Sequence, residues 1–344
     1  LSENTTGDSN TAVGDNSLLH NTTGSHNIGV GRNSLYTNTT GINNIAIGRD
    51  ALKVNTTASS NTAIGYHVLK LNTTGTENVA VGAYALDANT TGNNNTAIGY
   101  GSLSANTTGR NTAFGYESLN DITTASYCTG LGDHALWKCT AEKNTAVGFE
   151  AAVFTTTGTG NTAVGYQSLW ANTTGAQNVA IGRNALSQHT TGSNNVAMGH
   201  YAGEDVTTGE YNVLLGYHAA HLNTQLTTGD KCVHVGGNTI CSAADVDNES
   251  VIGYSTTGQG ANTTTLKGTP YNSSNADWGT YSDIRIKKNV TDNKKGLDAI
   301  NQIRVRNFEY KTKEEILNDS PELTDVVDAA VKEQEGVQVG VVAQ

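Results

Sequence analysis

The sequence predicts a mainly β protein, in which short strands and tight turns repeat to form a parallel β-roll, or solenoid. Three observations predict this fold class. A motif of about 17 residues recurs along most of the chain, and such a period is typical of solenoids and other repeat arrays. Each copy contains one short β-branched stretch between Asn and Gly residues, which favours a strand followed by a turn. Glycine makes up 39 of the 344 residues and proline only two, so tight turns are frequent and structure-breaking prolines are rare.

The repeat is defined in most units by the triplet Thr-Thr-Gly or Thr-Thr-Ala and by the residue before it, which we number position zero. The consensus of a unit is N-T-T-G-x-x-N-x-A-[VI]-G-x-x-[SA]-L-x-x. Successive zero positions are 17 residues apart in most units, 16 apart twice, and 20 apart at the last. The fourteen zero positions are Asn4, Asn21, Asn38, Asn55, Asn72, Asn89, Asn106, Ile122, Cys139, Thr155, Asn172, His189, Val206 and Leu226.

Each unit is predicted to form one coil of the roll. The apolar stretch N-T-A-V-G or N-V-A-I-G predicts a strand, and N-T-T-G predicts a turn. A second short strand is predicted over the x-[SA]-L segment. Because stacked strands are about 4.8 Å apart, the fourteen coils would form a rod about 65 Å long.

The first strand of each unit has apolar neighbours in sequence, such as Ala46 beside Ile47 and Ala97 beside Ile98. Since successive strand residues point to opposite faces, this strand is predicted to be buried on both sides. The small Ala predicts close approach of another backbone, so several chains are expected to pack around a common axis. A single-chain solenoid with a wider bore is the alternative. The recurring Leu, as at Leu52, is predicted to fill the interior of the roll.

Charge and composition exclude several partners. The formal net charge is −11, whereas nucleic-acid binding requires a basic face, so no nucleic acid is expected. No run approaches the roughly 18 apolar residues of a membrane span, so no membrane insertion is expected, and a chain that starts with Leu1 is interpreted as a fragment. The nine His are scattered without metal-ligand spacing, so no metal or cofactor is expected. His189, at position zero, is interpreted as a turn residue; the alternative is that copies from several chains meet at an axis.

The four cysteines form two local pairs, Cys128 with Cys139 and Cys232 with Cys241, whose members are 11 and 9 residues apart. Four cysteines permit three pairings, and proximity in sequence favours a disulfide within each local pair. Both pairs interrupt the regular repeat, where a covalent link would reinforce weaker stacking in an oxidising environment. Free buried thiols are the alternative.

The Asn and Thr of the turn allow two other interpretations. In eight units N-T-T matches the acceptor motif for N-glycosylation, but an Asn stacked at a turn is the preferred interpretation. Arrays of Thr on a flat β-solenoid can bind ice, but these two Thr are adjacent in sequence and therefore cannot both face one plane. An ice-binding solenoid is kept as an alternative function.

The unit N-T-A-[VI]-G-x-x-[SA]-L is similar to the head repeats of trimeric autotransporter adhesins, and it resembles the shaft repeats of bacteriophage tail fibres and of related bacterial surface proteins. The resemblance covers about residues 1–265. It implies a homotrimeric fibre, in which the partners of the chain are two further copies of itself. It also implies an extracellular location, on a virion tail or a bacterial cell surface, and a receptor that is a glycan or a protein of the host surface.

The composition changes after a linker at residues 266–281, and charged residues become dense at residues 282–344. The segment GLDAINQIRVRNFEYK predicts a short helix and then a strand from about Arg304. PELTDVVDAAVKEQEG predicts a second helix, and VQVGVVAQ predicts a second strand. A small α+β segment is therefore expected at the C-terminal end.

The ordered motifs SDIRIKKNV, GLDAINQIRVRNFEYK and GVVAQ resemble the intramolecular chaperone domain of peptidase family S74. The resemblance implies a domain that folds as a trimer and sets the register of three chains. In members that cleave themselves, a Ser and a Lys five residues later carry the reaction. This assigns those roles to Ser282 and Lys287 and implies cleavage of the bond between Ser282 and Asp283; a charged, solvated junction is the alternative. The family motif usually continues beyond the end of this chain at Gln344, so the domain is expected to be partial.

These features predict a structural and adhesive homotrimeric fibre, either a phage tail fibre or a bacterial surface adhesin. No activity on an external substrate is expected, apart from the one-time autoproteolysis at Ser282 that the resemblance implies. The alternative enzyme is a tail spike that degrades polysaccharide. Glycosidases need two placed carboxylates, whereas acidic residues such as Asp50, Asp87 and Glu117 occupy variable positions of the repeat, which disfavours that alternative.

Overall fold

The computed structural model describes residues 1–221 and 226–267, together with three strands nearer the C-terminus, Lys287–Lys288, Val305–Tyr310 and Gln338–Val341. The chain divides into two units, Leu1–Gly268 and Thr269–Gln344. In the described part of the chain, no helix is long and apolar enough to cross a membrane.

The first unit is built around one sheet of sixteen parallel strands of three residues each. The strands lie in the sheet in the same order as in the sequence, so each strand pairs with those of the preceding and following coils. The predicted fold class, a mainly β parallel roll or solenoid, is confirmed. The strands are β1 (Thr11–Val13), β2 (Ile28–Val30), β3 (Ile45–Ile47), β4 (Thr62–Ile64), β5 (Val79–Val81), β6 (Thr96–Ile98), β7 (Thr112–Phe114), β8 (Thr129–Leu131), β9 (Thr145–Val147), β10 (Thr162–Val164), β11 (Val179–Ile181), β12 (Val196–Met198), β13 (Val213–Leu215), β14 (Val233–Val235), β15 (Ser250–Ile252) and β16 (Thr264–Leu266).

The register of the sheet reproduces the repeat. Residues 17 apart lie opposite each other in most pairs, as Ala46 does to Ala63. The offset becomes 16 or 20 where the spacing of the zero positions changes. The missing or extra residues therefore lie in the turns, and the strands themselves stay aligned.

The interior of the roll is formed by the middle residue of each strand and by the recurring Leu. Ala63 and Ala80 are fully buried, and so are Leu52 and Leu69. All four belong to one continuous apolar core. The prediction that the Leu fills the interior is confirmed.

The residues on either side of the middle strand residue point outward. Ile64, which follows the buried Ala63, is 37 % exposed, and Thr62 is half-buried. The expectation that the Ala lies against another chain is wrong, because the Ala faces the interior of its own roll. Burial of the other face against further chains stays a prediction. The Ala is small because side chains of the x-[SA]-L turns lie opposite it inside the roll. Where Gly29 takes the Ala position, a Cβ would lie 2.5 Å from the Oγ of Ser17.

The x-[SA]-L segment forms a turn, so the prediction of a second strand there is wrong. Leu35 and Leu52 both have a φ of 49°, a left-handed conformation that costs a residue with a Cβ about 1–2 kcal/mol. Two interactions offset this cost. The N–H of Leu35 donates to the carbonyl of Ala51 in the next coil at 3.0 Å. Full burial of each Leu side chain contributes about 1.5–3 kcal/mol.

A Gly follows each of the first fifteen strands and has a backbone conformation that disfavours other residues. The φ of Gly48 is 132°, and a Cβ at this residue would lie 2.1 Å from the carbonyl oxygen of Gly65 in the next coil. The Gly therefore lets the chain turn out of the strand while the coils remain in contact.

The second unit contains a three-stranded antiparallel sheet, in the order β17 (Lys287–Lys288), β18 (Val305–Tyr310) and β19 (Gln338–Val341). Strands β18 and β19 lie where the sequence predicts strands. Both predicted helices lie outside the described residues, as does most of the predicted linker at residues 266–281. The α+β character of the C-terminal segment therefore stays a prediction.

Ala97→Glu is expected to destabilise the roll much more than Thr96→Glu. Ala97 is fully buried, whereas Thr96 points outward and is half-buried, and an unpaired charge in an apolar interior costs several kcal/mol. The measurement is urea unfolding followed by circular dichroism, in which we expect the midpoint of Ala97→Glu to fall by about 1 M or more. Equal midpoints for the two variants would contradict the inward orientation of the Ala.

Candidate functional site

Two columns of buried asparagines run along the roll and connect its coils. The first column consists of the Asn at position zero. The Nδ2 of Asn55 donates to the Oδ1 of Asn38 in the preceding coil at 2.8 Å and to the carbonyl of Ala58 in its own turn at 3.0 Å. The same pair of bonds recurs in consecutive coils from Asn21 to Asn89. The prediction that these asparagines are stacked turn residues is confirmed.

The second column consists of the Asn six residues after position zero. The backbone N–H of Asn78 donates to the Oδ1 of Asn61 at 3.0 Å, and the Nδ2 of Asn61 donates to the carbonyl of Gly75 at 2.8 Å. Both partners belong to the next coil, so one side chain links two coils at two points. Each such bond contributes about 1 kcal/mol, and leaving a buried partner unpaired costs about 1–3 kcal/mol.

Cysteines interrupt both columns. Each of the four cysteines is buried and carries a free thiol. The Sγ atoms of Cys128 and Cys139 both donate to the carbonyl of Ala141 at 3.2 Å, so these two thiols are neighbours. Burial raises the pKa of Cys232 to about 11 and also raises the pKa of Cys241, so both are protonated and poorly reactive at neutral pH. The disulfides within each local pair stay a prediction.

His189 takes the place of the Asn in the first column. It is fully buried, and its Nε2 lies 2.7 Å from the carbonyl oxygen of Gly192, three residues later. This is the bond that the column Asn makes in other coils, so the interpretation of His189 as a turn residue is confirmed. Burial lowers the pKa of His189. In the described residues, no group of three or more His, Cys, Asp or Glu could hold a metal ion.

The two residues to which the resemblance assigns autocleavage lie in the second unit. Ser282 lies outside the described residues. Lys287 begins strand β17 and is paired with Tyr310 of β18. The distance between the two groups that would react is therefore not defined, and the assignment of the catalytic pair stays a prediction.

The outward face of the sheet carries a continuous row of apolar residues, which we call the outer apolar stripe. It consists of the third residue of every strand, and its exposed fraction reaches 57 % at Val13 and 56 % at Phe114. With sixteen strands about 4.8 Å apart, the stripe is about 70 Å long. Soluble monomers rarely expose an apolar surface of this extent. Its members are Val13, Val30, Ile47, Ile64, Val81, Ile98, Phe114, Leu131, Val147, Val164, Ile181, Met198, Leu215, Val235, Ile252 and Leu266.

An aromatic column lies just after the Gly that ends each strand. The ring centroids are 5.4 Å apart between Tyr66 and Tyr84, 5.7 Å between Tyr84 and Tyr100, and 5.4 Å between Tyr100 and Tyr116. Each contact contributes about 0.5–1.5 kcal/mol, so the rings reinforce coil stacking at the surface. Sequence reasoning missed this column; the signal was Tyr recurring one or two residues after the repeat Gly.

Comparison with known proteins bears on the second unit. Residues 282–344 match the family model Peptidase_S74, described as chaperone of endosialidase. The predicted resemblance to this chaperone family is confirmed. No curated protein matches the chain. A C-terminal chaperone domain of this kind, preceded by a repetitive parallel β-solenoid, fits a tail-fibre-like or adhesin-like protein.

His234 places an ionisable side chain inside the roll. His234 is the middle residue of β14, a position that most coils fill with Ala, and it is fully buried. Neither of its ring nitrogens has a hydrogen-bond partner. Burial lowers the pKa of His234 to about 4, although the carboxylate of Glu249 acts in the opposite direction. The folded chain therefore holds this imidazole neutral.

Acid is expected to destabilise the roll through His234. Its pKa is about 4 in the folded chain and 6.5 ordinarily, so the unfolded chain binds more protons between these values, and stability falls as the pH falls from about 6.5 to about 4. In wild type, this acidification is expected to lower the free energy of unfolding by an amount on the order of 3 kcal/mol, and His234→Leu is expected to abolish that loss. The measurement is urea unfolding at pH 7 and pH 4, with the exposed His26→Gln as control. An unchanged pH dependence in His234→Leu would count against this role.

Proposed function

We propose that the chain forms the shaft of a homotrimeric extracellular fibre, either a phage tail fibre or a bacterial surface adhesin. The fibre reaches a glycan or protein receptor on the host surface, and its C-terminal domain sets the register of the three chains. The observation that carries this proposal is the outer apolar stripe, whose side chains a single copy leaves half-buried or exposed along the sheet. The family description of residues 282–344, a chaperone of endosialidase, supports a tail-associated extracellular protein.

The outer apolar stripe supports assembly around an axis parallel to the stack of coils. Removing apolar surface from water contributes about 25 cal/mol per Å², and this gain recurs in each of the sixteen strands. The first strand residue, which points outward beside the stripe, is Thr, Val, Ile or Ser, so charge does not oppose contact there. Closed cyclic symmetry would cover the stripe of every copy with that of a neighbour.

The outer apolar stripe does not by itself fix the register between copies, so a further structural element must do so. Successive coils present nearly the same residues, so a slip by one coil exposes little new surface and costs little free energy. Contacts between distant parts of the sequence also form slowly. A compact domain that assembles first at one end would exclude the slipped arrangements. The match of residues 282–344 to a chaperone family supports this order of assembly.

Sedimentation of the purified chain is expected to give three times the chain mass of 35.9 kDa. The double variant Ile47→Asp and Ile64→Asp places charges on the outer apolar stripe, where both side chains are more than one-third exposed, and it is expected to shift the protein to monomer with the roll intact by circular dichroism. Thr40→Asp, at an exposed turn, is the matched control and should remain trimeric. A wild-type monomer at micromolar concentration would refute the trimer.

Self-cleavage is expected to split the natural full-length chain near residue 282. A Ser hydroxyl is a weak nucleophile until a base takes its proton, and Lys287 is the proposed base. The denatured wild-type chain should give two fragments by mass spectrometry, whereas Ser282→Ala and Lys287→Ala should stay whole and still assemble as trimers. An intact wild-type chain after complete folding would mean that the domain assembles the fibre without cutting it.

A further inference from the structure

An open cleft of about 410 Å³ lies on the turn edge of the roll, where the repeat first loses a residue. Its volume falls within the range of small-molecule sites, about 300–1,000 Å³. The cleft lies between three successive coils. Its lining is polar apart from one aromatic ring, and it contains one cation. The lining residues that matter for recognition are Asn93, Asn94, Thr107, Arg110, Ser126 and Tyr127.

The missing residue creates the cleft by shortening one turn. Asn106 and Asn111 are five residues apart, whereas the equivalent residues of regular coils are six apart. In the preceding coil the carbonyl of Gly92 accepts a hydrogen bond from the Nδ2 of Asn89. In the shortened coil the carbonyl of Thr108 takes this role and accepts from the Nδ2 of Asn106 at 2.7 Å. The side-chain amide of Asn106 is turned away from the first Asn column, and its Oδ1 accepts a hydrogen bond from the Nδ2 of Asn111 instead.

Arg110 is held at the edge of the cleft by an aromatic neighbour and not by an acid. Its Nη1 donates to the phenol oxygen of Tyr127 at 2.6 Å, and its guanidinium carbon lies 5.5 Å from the centroid of that ring. Arg32 and Arg49 each pair with an Asp, but among the described residues Arg110 makes no ion pair. Lys143 occupies the same repeat position in the coil after Tyr127. Because Glu142 precedes Lys143 and Glu77 occupies the equivalent position in the coil before Asn94, Arg110 itself is the cation that the cleft offers to a ligand.

We propose that this cleft binds an anionic saccharide, one that carries a carboxylate or a phosphate group. The planar Arg110 guanidinium has donors left to bind such an anion in a forked geometry. Asn93, Asn94 and Ser126 offer amide and hydroxyl groups that suit the hydroxyls of a sugar. Tyr127 is 51 % exposed and offers an apolar ring face beside its polar tip.

The repeat itself argues that the cleft is a recognition site. Most of the cleft's recognition side chains, Asn93, Asn94, Arg110, Ser126 and Tyr127, occupy the variable positions between the turn and the second Asn column, so other coils do not repeat them. The shortened turn gives Arg110 and Tyr127 surroundings that regular coils do not offer. A role of this cleft in attachment rests on the proposed function, but the binding itself can be measured without it.

The experiment measures binding to the purified whole chain by isothermal titration calorimetry. The probes are a glucuronate disaccharide, glucose 6-phosphate, and a glucose disaccharide as the neutral probe. Two variants test the cleft: Arg110→Gln removes the cation, and insertion of one Ser between Gly109 and Arg110 restores the regular spacing while keeping the Arg. The matched control is Arg183→Gln, because Arg183 also lies over a Tyr ring but in a coil of regular length.

We expect wild type and Arg183→Gln to bind one of the two anionic probes with a Kd of about 1 mM or lower and the neutral probe at least tenfold more weakly. Both Arg110→Gln and the insertion should weaken binding about tenfold or more. Tighter binding of the glucuronate disaccharide assigns the ligand to the carboxylated sugars. Tighter binding of glucose 6-phosphate assigns it to the phosphorylated sugars.

Absence of binding by wild type to both anionic probes, or binding that Arg110→Gln leaves unchanged, overturns the proposal. Circular dichroism of each variant establishes that the roll is folded, so that lost binding is not lost structure. Sedimentation of the same samples separates this proposal from the trimer. A trimer that does not bind the probes refutes only the proposal of saccharide binding in the cleft. A monomer that binds them refutes only the proposal of trimeric assembly.

Discussion

The structure of the roll depends on one constraint: every coil must place its backbone atoms directly over those of the coil before it. The strands pair residue by residue along the whole sheet, and the side chain of Asn61 bonds both an N–H and a carbonyl of the next coil. Because Asn61 is fully buried, losing either bond would leave a polar group unpaired, which costs more than the bond contributes. Gly48 obeys the same constraint, since a Cβ there would collide with Gly65.

The narrow interior has a direct consequence for the outside. One three-residue strand and two turns enclose each coil, so beside the buried Asn columns the interior has room for small apolar residues and a Leu, such as Ala63 and Leu69. The remaining apolar residue of each strand, such as Ile64, has no place inside and lies on the surface. The same compactness that stabilises a coil therefore leaves an apolar stripe that a further surface must cover. This links the internal packing of one chain to its assembly with others.

Individual positions acquire distinct chemistry where the chain departs from the repeat. The shortened turn between Asn106 and Asn111 releases one amide from its column and opens a polar cleft. The second shortened turn, after Cys139, brings two thiols onto one carbonyl. His234 puts an ionisable ring where other coils have a small apolar residue. Each departure gives up a repeated interaction of the regular coil, and each is tolerated because the coils on either side remain stacked.

The sequence by itself determined the repeat, the strand in each unit and the Leu core, because a regular period and a recurring Leu such as Leu52 reflect contacts within the roll. It also indicated the C-terminal chaperone, whose motifs occur in order at residues 282–344. Only the tertiary structure decided which side of the strand is inside, because Ala63 and Ile64 are both apolar and a three-residue strand offers no longer pattern. It also decided that Leu52 lies in a turn with a φ of 49°. That conformation is stable only because bonds to the next coil and full burial offset its cost.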